Sequence, residues 1–369
     1  MFVRLGKIKL VNQIMQLPNH VKLKGLIYSI LFFVIPYISI SQTLSDEYAQ
    51  TITQDDLRKH LSYLASDELE GRETATKGQY LAARYIADHF EKLGLERIVK
   101  VEDNLSYFQW FDVAVKDKRQ RLLTADAELP TGYEKRKTMN VVGFLEGKSK
   151  KDEVVVITAH YDHLGIDKDG NIHNGADDDG SGTSAVLELA DAFSMAKAAG
   201  HGPERSILFM LVAGEEKGLL GSKYFTDISP AIPLDQLVCN LNIDMIGRKD
   251  DHHKDDEYIY IIGADKISYE LHEINEAVNH KYLNFELDYT YNDEKDPNRF
   301  YYRSDHYNFA KNGIPVIFYF TGVHEDYHKP EDDIEKILFP KYSKITQHIF
   351  RTAWEVANLD HRLIIDQKD

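Results

Sequence analysis

Residues 154–162 read VVVITAHYD, and this stretch decides which fold the sequence predicts. Its first part is apolar and rich in β-branched side chains, which is typical of a strand buried on both faces of a sheet. Such a strand needs helices packed on both sides, as in α/β proteins. The stretch ends at His160 and Asp162, two ionisable residues that a buried strand does not need for its stability. We therefore expect a covered strand that runs into a functional site.

Similar short apolar runs alternate with helical patterns along the chain. The predicted strands are 140–145, 154–159, 207–213, 237–243, 258–262 and 314–320. The predicted helices are two capped helices that follow Thr53 and Thr76, and the segments 183–196, 267–279 and 342–359. Residues 95–137 have a mixed pattern that gives no clear assignment. The alternation predicts an α/β fold with a central mixed, largely parallel sheet flanked by helices on both faces.

Ionisable residues follow several of these strands at their carboxyl ends, where sites form in open α/β sheets. They are His160 and Asp162 after 154–159, Glu215 and Glu216 after 207–213, Asp244 after 237–243, and Tyr327 with His328 after 314–320. Carboxylates at one edge repel one another unless divalent cations neutralise them. Mixed imidazole and carboxylate ligation suits zinc, and open coordination suits catalysis.

Six motifs occur in a fixed order along the chain. They are HYDHLG at 160–165, NGADDDGSG at 174–182, FMLVAGEEKGLLGS at 209–222, NLNIDMIG at 240–247, RSDHYNFAKNGIPVIFYFTG at 303–322 and YHKPEDD at 327–333. This set resembles the motifs of the exported di-zinc aminopeptidases, whose wider family includes glutamate carboxypeptidases and glutaminyl cyclases. The resemblance runs from about Leu61 to the C-terminal helix, and it implies a zinc-dependent exopeptidase fold.

The resemblance implies two zinc ions per chain. Asp178 would bridge the two ions. His160 and Asp244 would complete one site, and Glu216 and His328 would complete the other.

The resemblance also implies roles for the residues around these ligands. Glu215 would be the general base. The supporting residues would be Asp162 and Asp332, which orient His160 and His328, and Asp179, which follows Asp178 through a cis peptide bond. Tyr327 would support the oxyanion, while Arg303 and Phe320 would line the substrate pocket.

Some ionisable residues match a motif by coincidence or match none. Residues 324–328 read HEDYH and satisfy HExxH, a zinc-binding pattern that requires a helix. Gly322 and Pro330 flank the segment, so we expect no helix there. His163, His173 and His306 match no ligand position, and we expect them to be structural residues or residues of the rim.

Charge and composition exclude several other classes. Of 369 residues, 44 are Lys or Arg and 60 are Asp or Glu, and the resulting net charge of −16 disfavours nucleic acids and anionic membranes as partners. The single cysteine, Cys239, excludes an intrachain disulfide. Residues 1–41 contain five basic residues, no acidic one and an apolar run at 25–40. They predict an export signal, or alternatively a membrane anchor.

These observations predict one exported peptidase domain at 42–369. The segment between Gly94 and Asn140 is too short for a protease-associated insert, so we expect none. We expect an aminopeptidase that acts on peptides, with no nucleic-acid partner and no stable membrane partner after cleavage of the signal. The alternatives are a glutaminyl cyclase-like enzyme, a carboxypeptidase and a non-catalytic binding protein on the same scaffold. The preferred N-terminal residue and the oligomeric state stay open.

Overall fold

The structure is a computed structural model that describes residues 44–366. The hydrophobic core lies within one compact unit, Tyr48–Asp369. The export signal predicted for residues 1–41 lies outside the described residues. Among residues 44–366, no helix is both long enough and apolar enough to cross a membrane.

Thirteen strands form three sheets in the described part of the chain. In chain order they are β1 (Val99–Val101), β2 (Asn104–Ser106), β3 (Phe108–Lys116), β4 (Arg119–Leu123), β5 (Glu134–Leu145), β6 (Lys150–His160), β7 (Gly165–Ile166), β8 (Ile172–His173), β9 (Arg205–Val212), β10 (Leu237–Ile243), β11 (Tyr258–Ile262), β12 (Glu286–Asp288) and β13 (Val316–Phe320). β1 pairs with β2, and β7 pairs with β8. The other nine strands form the main sheet.

The main sheet has the spatial order β12-β11-β13-β10-β6-β9-β5-β3-β4, so β12 and β4 are its edges. Its four middle strands, β13, β10, β6 and β9, run parallel. β5, β3 and β4 continue the sheet antiparallel on one side, and β11 pairs antiparallel with β13 on the other. The predicted mixed α/β sheet is confirmed, with its parallel strands in the centre.

Helices cover both faces of this sheet. Within residues 50–366 the α-helices are α1 (Gln54–Leu64), α2 (Lys77–Leu93), α3 (Gly182–Ala198), α4 (Leu220–Lys223), α5 (Tyr269–Val278), α6 (His306–Ala310) and α7 (Phe339–Asn358). On β9, Phe209 packs against Phe193 of α3 with ring centroids 6.2 Å apart. The next residue, Met210, points to the opposite face and packs in a cluster with Phe225 and with Phe309 of α6.

The helix boundaries follow from the capping residues in the sequence. Thr53 precedes α1, and its hydroxyl oxygen accepts a hydrogen bond from the Asp56 backbone N–H at 3.2 Å. α2 ends at Gly94, whose φ of 72° lies in the left-handed region that favours glycine. Both helices were predicted, and both are confirmed, but the Thr76 side chain makes no capping hydrogen bond to α2. The unassigned residues 95–137 form β1 to β4, where exposed and buried positions are interspersed.

One buried arginine, Arg72, makes hydrogen bonds to three backbone segments near the strand ends. Arg72 is 1% exposed, and its Nε donates a hydrogen bond to the carbonyl oxygen of Tyr161 at 2.9 Å. Its Nη atoms donate to the carbonyl oxygens of Asn174 at 2.7 Å and Gly175 at 3.0 Å, and to that of Leu64. The end of α1, the end of β6 and the loop before α3 are therefore held by one side chain.

We predict that Arg72→Met lowers the free energy of unfolding by about 3 kcal/mol or more, because three buried carbonyl groups and one partly buried carbonyl group lose a donor. Urea unfolding followed by circular dichroism measures the change. Arg84→Met is the matched control, since the Arg84 side chain is 79% exposed. Equal stability of the two variants would contradict this role of Arg72.

Candidate metal centre

The carboxyl ends of β6 and β10 bring one imidazole and one carboxylate to the loop that precedes α3. His160 Nε2 lies 3.2 Å from Asp178 Oδ1 and 3.6 Å from Asp244 Oδ1. All three side chains are buried. They form one set of ligand atoms around His160 Nε2.

A second set lies on the other side of Asp178. His328 Nε2 is 3.2 Å from Asp178 Oδ2 and 3.3 Å from Glu216 Oε2. Asp178 therefore offers one carboxylate oxygen to each set. This is the arrangement that a carboxylate bridging two metal ions requires.

The distances within both sets fit metal ligation. Zinc bonds of about 2.0–2.2 Å in a tetrahedron place neighbouring ligand atoms about 3.3–3.6 Å apart. Burial alone would lower the pKa of His328, yet Asp178 and Glu216 raise it to about 10. The carboxylates thus attract positive charge to this position. No lysine or arginine of residues 44–366 lies within ion-pair distance of Asp178, Glu216 or Asp244.

His163 belongs to the site, although the sequence analysis placed it outside. Its Nδ1 lies 2.8 Å from Glu216 Oε1 and 3.9 Å from Asp178 Oδ2, and its side chain is fully buried. Within the described residues, neither His163 Nδ1 nor Glu216 Oε1 has a hydrogen-bond partner of acceptable geometry. These two unsatisfied buried atoms are a further indication of a cation site. The sequence signal that could have identified His163 is its position in the HYDH motif, three residues after His160.

Asp162 and Asp179 position the strand ends through backbone hydrogen bonds. Asp162 Oδ1 accepts from the N–H groups of Gly214 at 2.7 Å and Glu215 at 3.2 Å, while the Asp162 carbonyl oxygen accepts from His160 Nδ1 at 3.0 Å. Asp179 Oδ2 accepts from the His160 N–H at 3.1 Å. The Asp178–Asp179 peptide bond is cis, as the family resemblance implied.

The Asp332 carboxylate contacts the backbone next to Asp178 and not His328, which it was expected to orient. Its carboxylate accepts hydrogen bonds from the backbone N–H groups of Asp177, at 3.0 and 3.1 Å, and of Asp178, at 3.0 Å. Within residues 44–366 it makes no hydrogen bond to His328. The backbone around Asp178 is not helical, so its N–H groups need an outside acceptor, and Asp332 supplies it. Asp332 therefore positions Asp178 and not His328.

A buried chain of hydrogen bonds ends on Asp244. Asn240 Nδ2 donates to Thr158 Oγ1 at 2.8 Å, and Thr158 Oγ1 donates to Asn242 Oδ1 at 2.7 Å. Asn242 Nδ2 donates to Ser304 Oγ at 2.9 Å, and Ser304 Oγ donates to Asp244 Oδ2 at 2.7 Å. Asp244 Oδ2 is thus fixed from behind while Oδ1 faces His160.

Glu215 stands beside the two ligand sets. Its Oε2 is 4.0 Å from His160 Nε2, farther than any ligand pair described above, and its side chain is 12% exposed. Burial raises the pKa of Glu215 well above its ordinary value. Glu215 and Glu216 are adjacent in the chain, yet only Glu216 contacts His328.

The cleft in front of Glu215 has one aromatic wall and one polar corner. Tyr327 stacks on His328 with ring centroids 3.8 Å apart, and its hydroxyl oxygen lies 3.5 Å from Arg303 Nη2. Phe300 and Phe320 line the same cleft and belong to an aromatic cluster against which Tyr327 packs. A larger cleft of about 780 Å³, lined by residues between 252 and 298, contains none of the predicted site residues.

The HExxH match at 324–328 does not form a helix, as expected; residues 325–328 form a turn. Glu325 is exposed, and His324 Nε2 faces Asp177 Oδ2 at 3.3 Å instead of joining His328. The one-zinc metalloprotease arrangement is therefore absent from this segment.

Comparison with known proteins relates the chain to peptidases. Aminopeptidase YwaD from Bacillus subtilis is 26% identical over 260 residues, which cover 68% of this chain and 52% of that protein. The chain spans about half the length of the curated relatives that it matches most strongly.

Two solved structures share the fold. BSAP, a zinc aminopeptidase from Bacillus subtilis, has a TM-score of 0.60 and 19% identity over 83% of this chain and 96% of its own. The glutaminyl cyclase of Bacteroides thetaiotaomicron has a TM-score of 0.61 and 17% identity over 82% of this chain and 98% of its own. Residues 140–353, more than half of the chain, match the family described as Peptidase family M28. The chain therefore belongs to Peptidase family M28.

Proposed function

We propose that this protein is a metallo-aminopeptidase that hydrolyses the N-terminal residue of peptides with two zinc ions and Glu215 as the general base. The observation that carries the proposal is the sharing of Asp178 between two sets of ligand atoms, with Glu215 beside both sets. The names of relatives such as Aminopeptidase YwaD support it. His160, Asp178 and Asp244 would hold one ion, and Asp178, Glu216 and His328 would hold the other.

Bound zinc would supply positive charge that stabilises the negative charge developing during hydrolysis. Glu215 Oε2 would accept a proton from the attacking water and later deliver it to the leaving amine. Burial raises the pKa of Tyr327 above its ordinary value, so its hydroxyl keeps its proton and can donate to a substrate oxygen. The carboxylates of Glu215 and Asp244 would attract the α-ammonium group of the peptide.

The cleft supports a preference for apolar N-terminal side chains. The lining includes Met245, Phe300, Phe318, Phe320 and Val323. Arg303 provides a positive charge at the same cleft, close to Tyr327.

A panel of peptides tests the proposal against its alternatives. We expect release of the first residue from Leu- and Phe-initiated peptides, no release from their N-acetylated forms, and loss of activity with 1,10-phenanthroline. Ammonia released from Gln-initiated peptides would instead indicate a cyclase. Release of the last residue from N-acetylated peptides would indicate a carboxypeptidase, and no reaction with any peptide would indicate a binding protein.

Glu215→Gln is expected to reduce turnover by a factor on the order of 100 or more, because it removes the proton acceptor. Zinc content should stay near that of the parent protein, since Glu215 is outside both ligand sets. Glu325→Gln, a change at an exposed carboxylate nearby, is the control and should retain activity. Parent-like turnover of Glu215→Gln would remove the base assignment.

Ser304→Ala is expected to weaken metal retention about 10-fold or more, because Asp244 Oδ2 loses the hydrogen bond that orients it. The measurement is the chelator concentration that removes half of the activity. Ser62→Ala, at an exposed serine on α1, serves as the control. An unchanged chelator concentration would mean that the hydrogen-bond chain does not support the centre.

A further inference from the structure

A separate group of imidazole and carboxylate side chains lies between three helices, away from the strand ends. His60 is on α1, His89 is on α2, and Glu188 and Asp191 are on α3. α1 and α2 both pack against α3. Glu188 and Asp191 are three residues apart, so they lie on the same face of α3.

The ligand atoms of this group are close together. His60 Nε2 lies 3.1 Å from Glu188 Oε1, and His89 Nε2 lies 2.5 Å from Asp191 Oδ2. The two imidazole rings meet edge to face with centroids 4.8 Å apart. His60, His89 and Asp191 each offer one ligand atom, and these three atoms lie within 4.8 Å of one another. Tetrahedral zinc needs ligand atoms about 3.4 Å apart, so these three atoms would have to approach one another by up to about 1.4 Å.

The orientation of His60 is that of a ligating histidine. Its Nδ1 is hydrogen-bonded to the Tyr85 hydroxyl at 2.8 Å, which fixes the ring, while Nε2 faces Glu188 Oε1. Histidines that bind metal nearly always make such a hydrogen bond through the second ring nitrogen.

The group also lacks a positive partner. The side chains of His60 and Glu188 are each 6% exposed, and in residues 44–366 no lysine or arginine lies within 4.0 Å of the Glu188 or Asp191 carboxylate. A buried carboxyl group without a cation is costly unless it is protonated or bound to metal. Without an ion, a proton must lie between His60 Nε2 and Glu188 Oε1 for these atoms to approach so closely.

We propose that His60, His89, Glu188 and Asp191 bind a divalent transition-metal ion, with zinc as the best match, which joins α1, α2 and α3. Two imidazoles and two carboxylates favour zinc over calcium or magnesium, which prefer oxygen ligands alone. Binding would release the proton shared by His60 and Glu188 to solvent. Asp191, whose side chain is 28% exposed, leaves a route for the ion from the surface.

The inference is independent of the proposed peptidase activity. His60 and His89 precede residue 140, where the match to Peptidase family M28 begins. The ion would act through structure, because it connects three helices, and metal binding of this kind adds its free energy to that of folding.

Zinc counting tests the proposal. Chelator-treated protein is dialysed against zinc, desalted and measured by atomic absorption. We expect His89→Gln and Asp191→Asn each to bind one zinc equivalent fewer than the parent protein while peptide cleavage is retained. The readout is a difference, so it does not depend on how many ions bind at the strand ends. Equal zinc counts in parent and variants would overturn the proposal.

His361→Gln is the matched control, because His361 Nε2 pairs with Glu270 Oε1 at 2.6 Å without belonging to a set of three metal-binding residues. It should retain the full zinc count. If His89→Gln fails to fold, the partly exposed Asp191→Asn decides the question. Anomalous diffraction at the zinc edge provides a direct check: a peak between His60 and His89 is expected, and peaks at the strand ends alone would refute the site.

Discussion

Repulsion among carboxylates at one edge of the parallel strands is the constraint to which the surrounding structure responds. The acids divide into two groups according to what offsets their charge. Asp162, Asp179 and Asp332 accept hydrogen bonds from backbone N–H groups. Asp178, Glu216 and Asp244 face imidazole nitrogens at the spacing of metal ligands. The first group fixes the loops, so that the second group can present its oxygen atoms to cations.

The strands of the parallel centre and the residues at their ends could be predicted because their signals are local. The buried parallel strands β6 and β10 are mostly apolar, and an ionisable residue directly after such a strand is conspicuous. The five ligand positions came from the family resemblance. The structure brings all five together: His160 and His328 contact Asp178, Asp244 contacts His160, and Glu216 contacts His328.

Other features depend on contacts that no local pattern encodes. Residues 95–137 alternate irregularly between exposed and buried positions, because β3 and β4 lie near the outer part of the sheet. Arg72 reaches carbonyl groups about 90 and 100 residues away, and its partners are backbone atoms that carry no sequence signature. His163 and Asp332 were misplaced for a similar reason, since their roles depend on how loops fold back on Asp178. The group around His60 is drawn from three helices with no characteristic spacing.

The two edges of the main sheet have a consequence for association between copies of the chain. β12 has three residues, and β4 has five, of which Arg119 and Arg121 are exposed. A short edge and a positively charged edge both discourage another strand from adding to the sheet. Growth of the sheet into an intermolecular ladder, the first step toward fibrous aggregates, is therefore disfavoured at both margins despite the long apolar strands between them.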